Sequence, residues 1–218
     1  MYKPDRNSQN TFRELREKDA WRLVEKIYLK YKHKWAGPDI DVYIFPAAAG
    51  GLFSRKAGKS GVSFKNMLFL FLTPDLDEKE LEALFVHEYH HSCRINSQRK
   101  SLEEYTLLDS IILEGLAEHS VEMYVGKEYR GKWCTLYSNE EIRHLWEKVL
   151  KDHLKMRKEE RLHQKLLYGE SPYPELLGYA VGYEIIREYR EKKSFSTKLS
   201  FIAPSEYFVK PTLFKLDI

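Results

Sequence analysis

The stretch FVHEYHHSC, Phe85 to Cys93, decides how the whole chain is interpreted. It places three histidines and one glutamate within five consecutive positions, in a helix predicted from Leu76 to Arg94. His87 and His91 are four residues apart, so both imidazoles project from one face of that helix, one turn apart. They can therefore share a metal ion, whereas His90 projects from another side and stays outside the set of ligands.

Glu88 follows His87 directly and lies about a hundred degrees further round the helix. From there its carboxylate can reach a water on the metal without binding the metal itself. Together these residues form H-E-x-x-H, the zinc metallopeptidase signature. A catalytic zinc takes three protein ligands and leaves one position for water, so the motif needs a partner elsewhere in the chain.

The stretch ILEGLAEHS, Ile112 to Ser120, supplies that partner. Glu114 is separated from His91 by 22 residues, enough to end one helix and return on a second, antiparallel one. Glu118 lies one turn further along the same face, where it could accept a hydrogen bond from a ligating histidine and fix its tautomer. His119 is the alternative third ligand.

The order of apolar patterns predicts an α+β fold, because strands come early and helices come late. We expect one domain over residues 1–218. It begins with a helix over 12–35, continues with a small sheet over 40–72, and ends with a helical catalytic part over 76–200. The loop from Gly50 to Gly61 is a candidate lid.

Composition and charge limit the classes of binding partner that we expect. The chain is 43% apolar and 32% charged, as in soluble globular proteins. Its net charge of +3 is small beside 36 basic and 33 acidic side chains, so no strong preference for polyanions follows. The basic cluster YLKYKHK, Tyr28 to Lys34, has helical spacing and is interpreted as a solvated helix face. We therefore expect no nucleic-acid partner.

The sequence also predicts a cytoplasmic protein without a membrane partner. Cys93 and Cys134 are too few for a disulfide framework or a cysteine-rich zinc site. The polar start MYKPDRNSQN has no apolar core, so we expect no secretory signal. The longest apolar run, MLFLFL, has six residues, against about 18 for a membrane span. The sequence makes no prediction of the oligomeric state.

Two families share these motifs. HEYHH followed by LEGLAEH resembles the thermolysin-like zincins with a glutamate third ligand, the gluzincins, although Leu113 replaces the Asn of their aminopeptidase branch. The closer resemblance is to a bacterial family of predicted Zn-dependent proteases of unknown function. Its members have the same length, an E-G-L-A-E motif and a late G-Y-x-x-G-Y, here GYAVGY from Gly178 to Tyr183. This resemblance covers roughly residues 40–200 and implies a zincin-like fold.

The gluzincin resemblance implies a reaction as well as a fold. One Zn²⁺ on His87, His91 and Glu114 would lower the pKa of its water towards ~7 and polarise the scissile carbonyl. Glu88 would take the proton from that water and later deliver it to the leaving amine. The expected function is hydrolysis of peptide bonds in a peptide or protein substrate. The alternative is a zincin-fold protein that keeps the metal for binding or regulation, without turnover.

The resemblance also implies an oxyanion stabiliser and a place for the substrate. In the aminopeptidase branch a tyrosine in Y-x-x-G stabilises the oxyanion, and Tyr179 with Gly182 matches that spacing. Tyr183, one turn further along the same face, is the alternative. The strand ending at Leu72 would be the sheet edge beside the active-site helix, where an extended peptide could pair.

Overall fold

A computed structural model describes residues 6–47, 59–75, 77–98, 100–214 and 216. It divides into two compact units, Met1–Cys93 and Arg94–Ile218, with the division inside a helix. The first unit carries a small sheet and the second is helical where described, which confirms the predicted α+β class. No helix among the described residues is both long and apolar enough to cross a membrane.

The described part of the first unit contains helices and a three-stranded sheet. Its described elements are, in chain order, α1 (Arg6–Glu17), α2 (Ala20–Trp35), β1 (Asp41–Pro46), β2 (Lys59–Ser63), β3 (Met67–Leu72) and the greater part of α3 (Glu78–Ser97).

The helix predicted over 12–35 is two helices, so that boundary was wrong. Asp19 has a φ of 53°, in the left-handed region, and a right-handed helix cannot continue through such a residue. The apolar spacing gave no sign of this break because it continues into α2. There Val24, Ile27 and Tyr31 recur on one buried face, as predicted for an amphipathic helix.

The sheet has the strand order β1-β3-β2. β3 pairs in parallel with β1 and antiparallel with β2, so the strand ending at Leu72 is central and the prediction that it forms the sheet edge was wrong. The end strand β2, Lys59–Ser63, lies within the predicted sheet range of 40–72 but begins inside the predicted lid. Of that lid, residues 50–58 lie outside the described part of the chain, and Lys59–Gly61 belong to β2.

Aromatic rings join α2 to α3 within the first unit. Tyr89 of α3 stacks on Trp35 with ring centroids 5.8 Å apart and meets Tyr28 edge-on at 5.6 Å. His90 is fully buried, and its ring plane lies at 84° to that of Trp35, so it packs within this unit. Each fully buried apolar side chain stabilises the fold by about 1.5–3 kcal/mol, which holds α3 firmly along this face.

The second unit is built around two long helices. Its described α-helices are, in chain order, α4 (Leu107–Tyr124), α5 (Asn139–Leu145), α6 (Arg161–Tyr168), α7 (Leu177–Lys192), α8 (Thr197–Ile202) and α9 (Ser205–Val209). Short 3-10 turns precede and follow α4, and a π-helical turn at Trp146–Leu150 continues α5.

α4 and α7 approach each other through glycines of the two motifs. A Cβ added at Gly115 would lie 2.2 Å from the carbonyl oxygen of Gly182. One added at Gly182 would lie 2.0 Å from the carbonyl oxygen of Ile111. Backbone therefore meets backbone here, and only glycine permits that distance. The glycines of LEGLAEH and GYAVGY are explained by this helix contact.

Candidate metal centre

α3 presents the two predicted histidine ligands together. The helix is capped by Asp77, whose carboxylate accepts hydrogen bonds from the backbone N–H groups of Lys79 (2.7 Å) and Glu80 (3.0 Å). Two turns later the ring centroids of His87 and His91 lie 4.6 Å apart, with the ring planes at 78°. The four-residue spacing thus brings both imidazoles to one face of the helix, as predicted.

Glu114 completes a group of three possible ligands. It lies on α4 and is 8% exposed. One nitrogen from each of His87 and His91 and one carboxylate oxygen of Glu114 all lie within 4.8 Å of one another. Such a group could hold a metal ion, and two imidazoles with one carboxylate are a known donor set of catalytic zinc.

Glu88 is enclosed by strand β2. Glu88 is 7% exposed, and the Ser63 hydroxyl donates a hydrogen bond to the Glu88 carboxylate. The same hydroxyl lies 2.9 Å from the backbone carbonyl oxygen of Glu88. Gly61 of the same strand leaves no room for a side chain, since a Cβ there would lie 2.4 Å from Glu88 Cγ. Neither Ser63 nor Gly61 was predicted, although a glycine in a strand can signal close approach of the backbone to another group.

Glu118 is buried and binds the segment that follows α4. Its carboxylate accepts a hydrogen bond from the Gly131 N–H at 2.8 Å and lies 3.8 Å from Cys134 Sγ. Burial, and secondarily Glu118, raises the pKa of the Cys134 thiol. Glu118 therefore has a structural role that the sequence did not predict, and a hydrogen bond to a ligating histidine stays a prediction.

His119 is engaged through both ring nitrogens. Nδ1 lies 2.7 Å from an Arg190 guanidinium nitrogen and Nε2 lies 2.9 Å from the carbonyl oxygen of Tyr183. Arginine can only donate, so Nδ1 accepts and Nε2 carries the proton given to the carbonyl. Burial lowers the pKa of His119 to about 4. No lone pair is left for a metal, which argues against His119 as the third ligand.

Tyr183 belongs to the same buried network. Its hydroxyl donates to a carboxylate oxygen of Glu122 at 2.8 Å and accepts a hydrogen bond from Arg130. Its ring stacks on His119 with centroids 4.4 Å apart and planes at 7°. Burial, followed by the hydrogen bond to Glu122, raises the pKa of the Tyr183 hydroxyl. Through its hydrogen bond to Glu122, the Tyr183 hydroxyl therefore holds α7 against α4.

Tyr179, one turn earlier on α7, has different neighbours. Its ring meets Trp133 edge-on, with centroids 5.2 Å apart and planes at 72°. Tyr168 packs against it at 5.8 Å. Tyr179 is partly exposed and lies at the margin of the unit's apolar core. Its assignment as oxyanion stabiliser stays a prediction.

The motif and the donor set define the class of this protein: an H-E-x-x-H protein with a possible two-histidine, one-glutamate metal centre. The chain belongs to the family of predicted Zn-dependent proteases (DUF2268), whose model matches residues 20–210. This confirms the family resemblance seen in its motifs. A relative, the uncharacterized protein YjaZ of Bacillus subtilis (strain 168), is 36% identical over 215 residues, covering 98% of this chain and 82% of the relative. No solved structure gives a significant match.

Proposed function

We propose that this protein is a zinc-dependent peptidase that hydrolyses peptide bonds with Glu88 as general base. The observation that carries the proposal is the convergence of ligand atoms from His87, His91 and Glu114 within 4.8 Å. Glu88, next to one of these ligands in sequence, is what separates a peptidase from a metal-binding module, since metal binding alone has no need of a base.

The donor set fits zinc. Neutral imidazole nitrogens and a carboxylate oxygen are ligands that Zn²⁺ accepts, and three of them leave a coordination position for chemistry. Zinc held there supplies Lewis acidity, which acidifies water and polarises a carbonyl oxygen. His87, His91 and Glu114 would each contribute one atom, with one ion per chain.

The protein's own groups would move the proton and stabilise charge. Glu88 would accept a proton from the attacking water and return it to the leaving amine. The Tyr179 hydroxyl would donate a hydrogen bond to the developing oxyanion, a contribution of about 2.7–4 kcal/mol for one such donor. We prefer Tyr179 to Tyr183 because the Tyr183 hydroxyl is already bound to Glu122 and Arg130.

The substrate would lie along β2. This strand ends the described sheet and touches Glu88 through Ser63 and Gly61. An extended peptide that paired with its outer edge would be held by backbone hydrogen bonds, as in other cases of strand addition. The scissile bond would then pass close to the base.

We also place the reaction in the cytoplasm. Cys93 and Cys134 are both free thiols, and free thiols are typical of proteins in a reducing compartment. Burial raises the pKa of Cys93 to about 12, so this thiol is suited to a structural role.

Zinc content and hydrolysis of a mixed peptide library test the proposal. We expect one zinc per chain, cleavage by the wild type, and at least a 10²-fold loss of kcat in Glu88→Gln with zinc retained. Glu78→Gln, which changes an exposed glutamate at the start of the same helix, is the matched control and should keep full activity.

The third ligand has its own pair of variants. Glu114→Gln should lower zinc affinity sharply, whereas His119→Gln should leave it unchanged because both nitrogens of His119 already have protein partners. Wild-type protein that binds one zinc and cleaves no peptide in the library would contradict the peptidase and leave a zinc-binding protein without turnover.

A further inference from the structure

We propose that Ser63 is a positioning residue that holds the Glu88 carboxylate in the orientation needed for proton transfer. The inference deepens the proposed peptidase function and rests on it, because it assigns a second residue to the general base. Ser63 would not touch the substrate or the metal. It would act through Glu88 alone.

Two contacts of one hydroxyl support the assignment. Ser63 Oγ donates to the Glu88 carboxylate and lies 2.9 Å from the Glu88 backbone carbonyl oxygen. The side chain of Glu88 is thereby tied to a point beside its own backbone, which selects one of its several staggered conformations. A glutamate has three rotatable side-chain bonds, and fixing them in advance removes an entropic cost from the reaction.

Gly61 bounds the same side chain on the strand side. Residues two apart on a strand face the same way, so Gly61 and Ser63 both turn towards α3. A Cβ at Gly61 would lie 2.6 Å from Glu88 Cδ and 2.7 Å from Oε1. The strand therefore supplies a surface without a side chain at one position and a hydroxyl donor at the other.

The chemistry of serine suits this task. Glu88 is 7% exposed, and a buried carboxylate needs a hydrogen-bond donor. Lysine or arginine would satisfy it with a full positive charge and weaken its pull on a proton. A serine hydroxyl fixes the carboxylate through a neutral donor and leaves it able to act as a base.

The same helix and strand offer a matched control. Ser92 lies one turn beyond Glu88 on α3, and its hydroxyl donates to the carbonyl oxygen of Phe64 at 2.9 Å. Phe64 directly follows Ser63. Ser92→Ala thus removes a serine hydrogen bond to the residue that follows Ser63 and leaves the bond from Ser63 to the Glu88 carboxylate in place.

Steady-state kinetics of the zinc-loaded enzyme separate the two serines. Ser63→Ala should lower kcat about 10- to 100-fold, the range seen when a partner that orients an active-site ligand is removed, with KM and zinc content unchanged. Ser63→Thr keeps a hydroxyl and should restore kcat to within about threefold of the wild type. Ser92→Ala should retain kcat. Equal losses of kcat in Ser63→Ala and Ser92→Ala, or no rescue by Ser63→Thr, would overturn the inference.

A measurement that does not depend on turnover keeps this outcome distinct from failure of the proposed function. With ¹³C-labelled glutamate, the Glu88 carboxyl resonance is the one missing from Glu88→Gln. It should shift in Ser63→Ala and stay in place in Ser92→Ala. If the resonance does not shift in Ser63→Ala, the inference is overturned even when the enzyme is active. If the resonance shifts but the wild type cleaves nothing, the proposed function fails and the hold of Ser63 on Glu88 stands.

Discussion

The region around Tyr183 and the region around Tyr179 lie one turn apart on α7, yet they are built from different contacts. Tyr183 is enclosed by charged and polar partners: Glu122, Arg130 and the ring of His119. Tyr179 packs on aromatic rings from Trp133 and Tyr168 and is partly exposed. The two G-Y pairs of one motif therefore have different roles, one structural and one proposed to be chemical.

Removing each hydroxyl in turn should separate the two roles with the largest effect. Tyr179→Phe should lower kcat by about 10²–10³-fold, because the proposed donor to the oxyanion is lost, with little change in melting temperature. Tyr183→Phe should lower the free energy of unfolding by about 1–3 kcal/mol, because Glu122 loses a buried donor, with kcat nearly unchanged. Peptide hydrolysis and thermal melts measure both. If the two variants exchanged these effects, Tyr183 would be the oxyanion stabiliser.

Gly182 lies between the two tyrosines, and a methyl group there tests the helix contact beneath them. Gly182→Ala should lower the free energy of unfolding by about 3 kcal/mol, since its Cβ would meet a backbone oxygen of Ile111 at 2.0 Å. Gly178→Ala is the comparison variant. A Cβ there would lie 2.8 Å from Leu167 Cδ1 and 2.9 Å from Leu167 Cα, further than the 2.0 Å contact at Gly182, so the loss measured by urea denaturation should be smaller.

The Tyr183 region should also show itself in the pH dependence of stability. Burial lowers the pKa of His119 from 6.5 to about 4, so the unfolded chain takes up a proton at a higher pH than the folded protein does. The contribution of His119 is therefore complete above about pH 6.5 and declines as the pH falls towards 4. At about 1.4 kcal/mol per pH unit, the free energy of unfolding should drop by about 2 kcal/mol between pH 6.5 and 5.

Urea titrations at pH 7.5 and 5 check this slope. The difference between the two values should shrink in His119→Gln and persist in His144→Gln, which replaces an exposed histidine. Part of the slope should remain in both variants because burial also lowers the pKa of His163. An unchanged slope in His119→Gln would show that His119 is not held neutral by the Tyr183 region.

The helical period accounts for what the sequence could predict of the site. A spacing of four places His87 and His91 on one face whatever else the chain does. The α+β class also followed from local patterns, since short apolar strand segments come early in the chain and longer helical segments come late.

Contacts between elements far apart in sequence could not be predicted in the same way. Ser63 and Glu88 are 25 residues apart and lie in different elements, so no local period relates the two side chains. Glu122 and Arg130, the partners of the Tyr183 hydroxyl, are likewise connected to α7 by no periodicity in the sequence. Spacing determines neighbours within one helix or strand, but tertiary packing determines all the others.

The two cysteines allow local opening of the protein to be measured by thiol alkylation. Cys93 lies in the first compact unit and Cys134 in the second, and burial raises the pKa of both thiols. With a pKa of about 12, only about one Cys93 in 10⁵ is a thiolate at pH 7, and the thiolate is the form that alkylating reagents attack. Alkylation of the native protein should therefore proceed through local openings. The labelling rates of the two thiols would measure how often each unit opens locally.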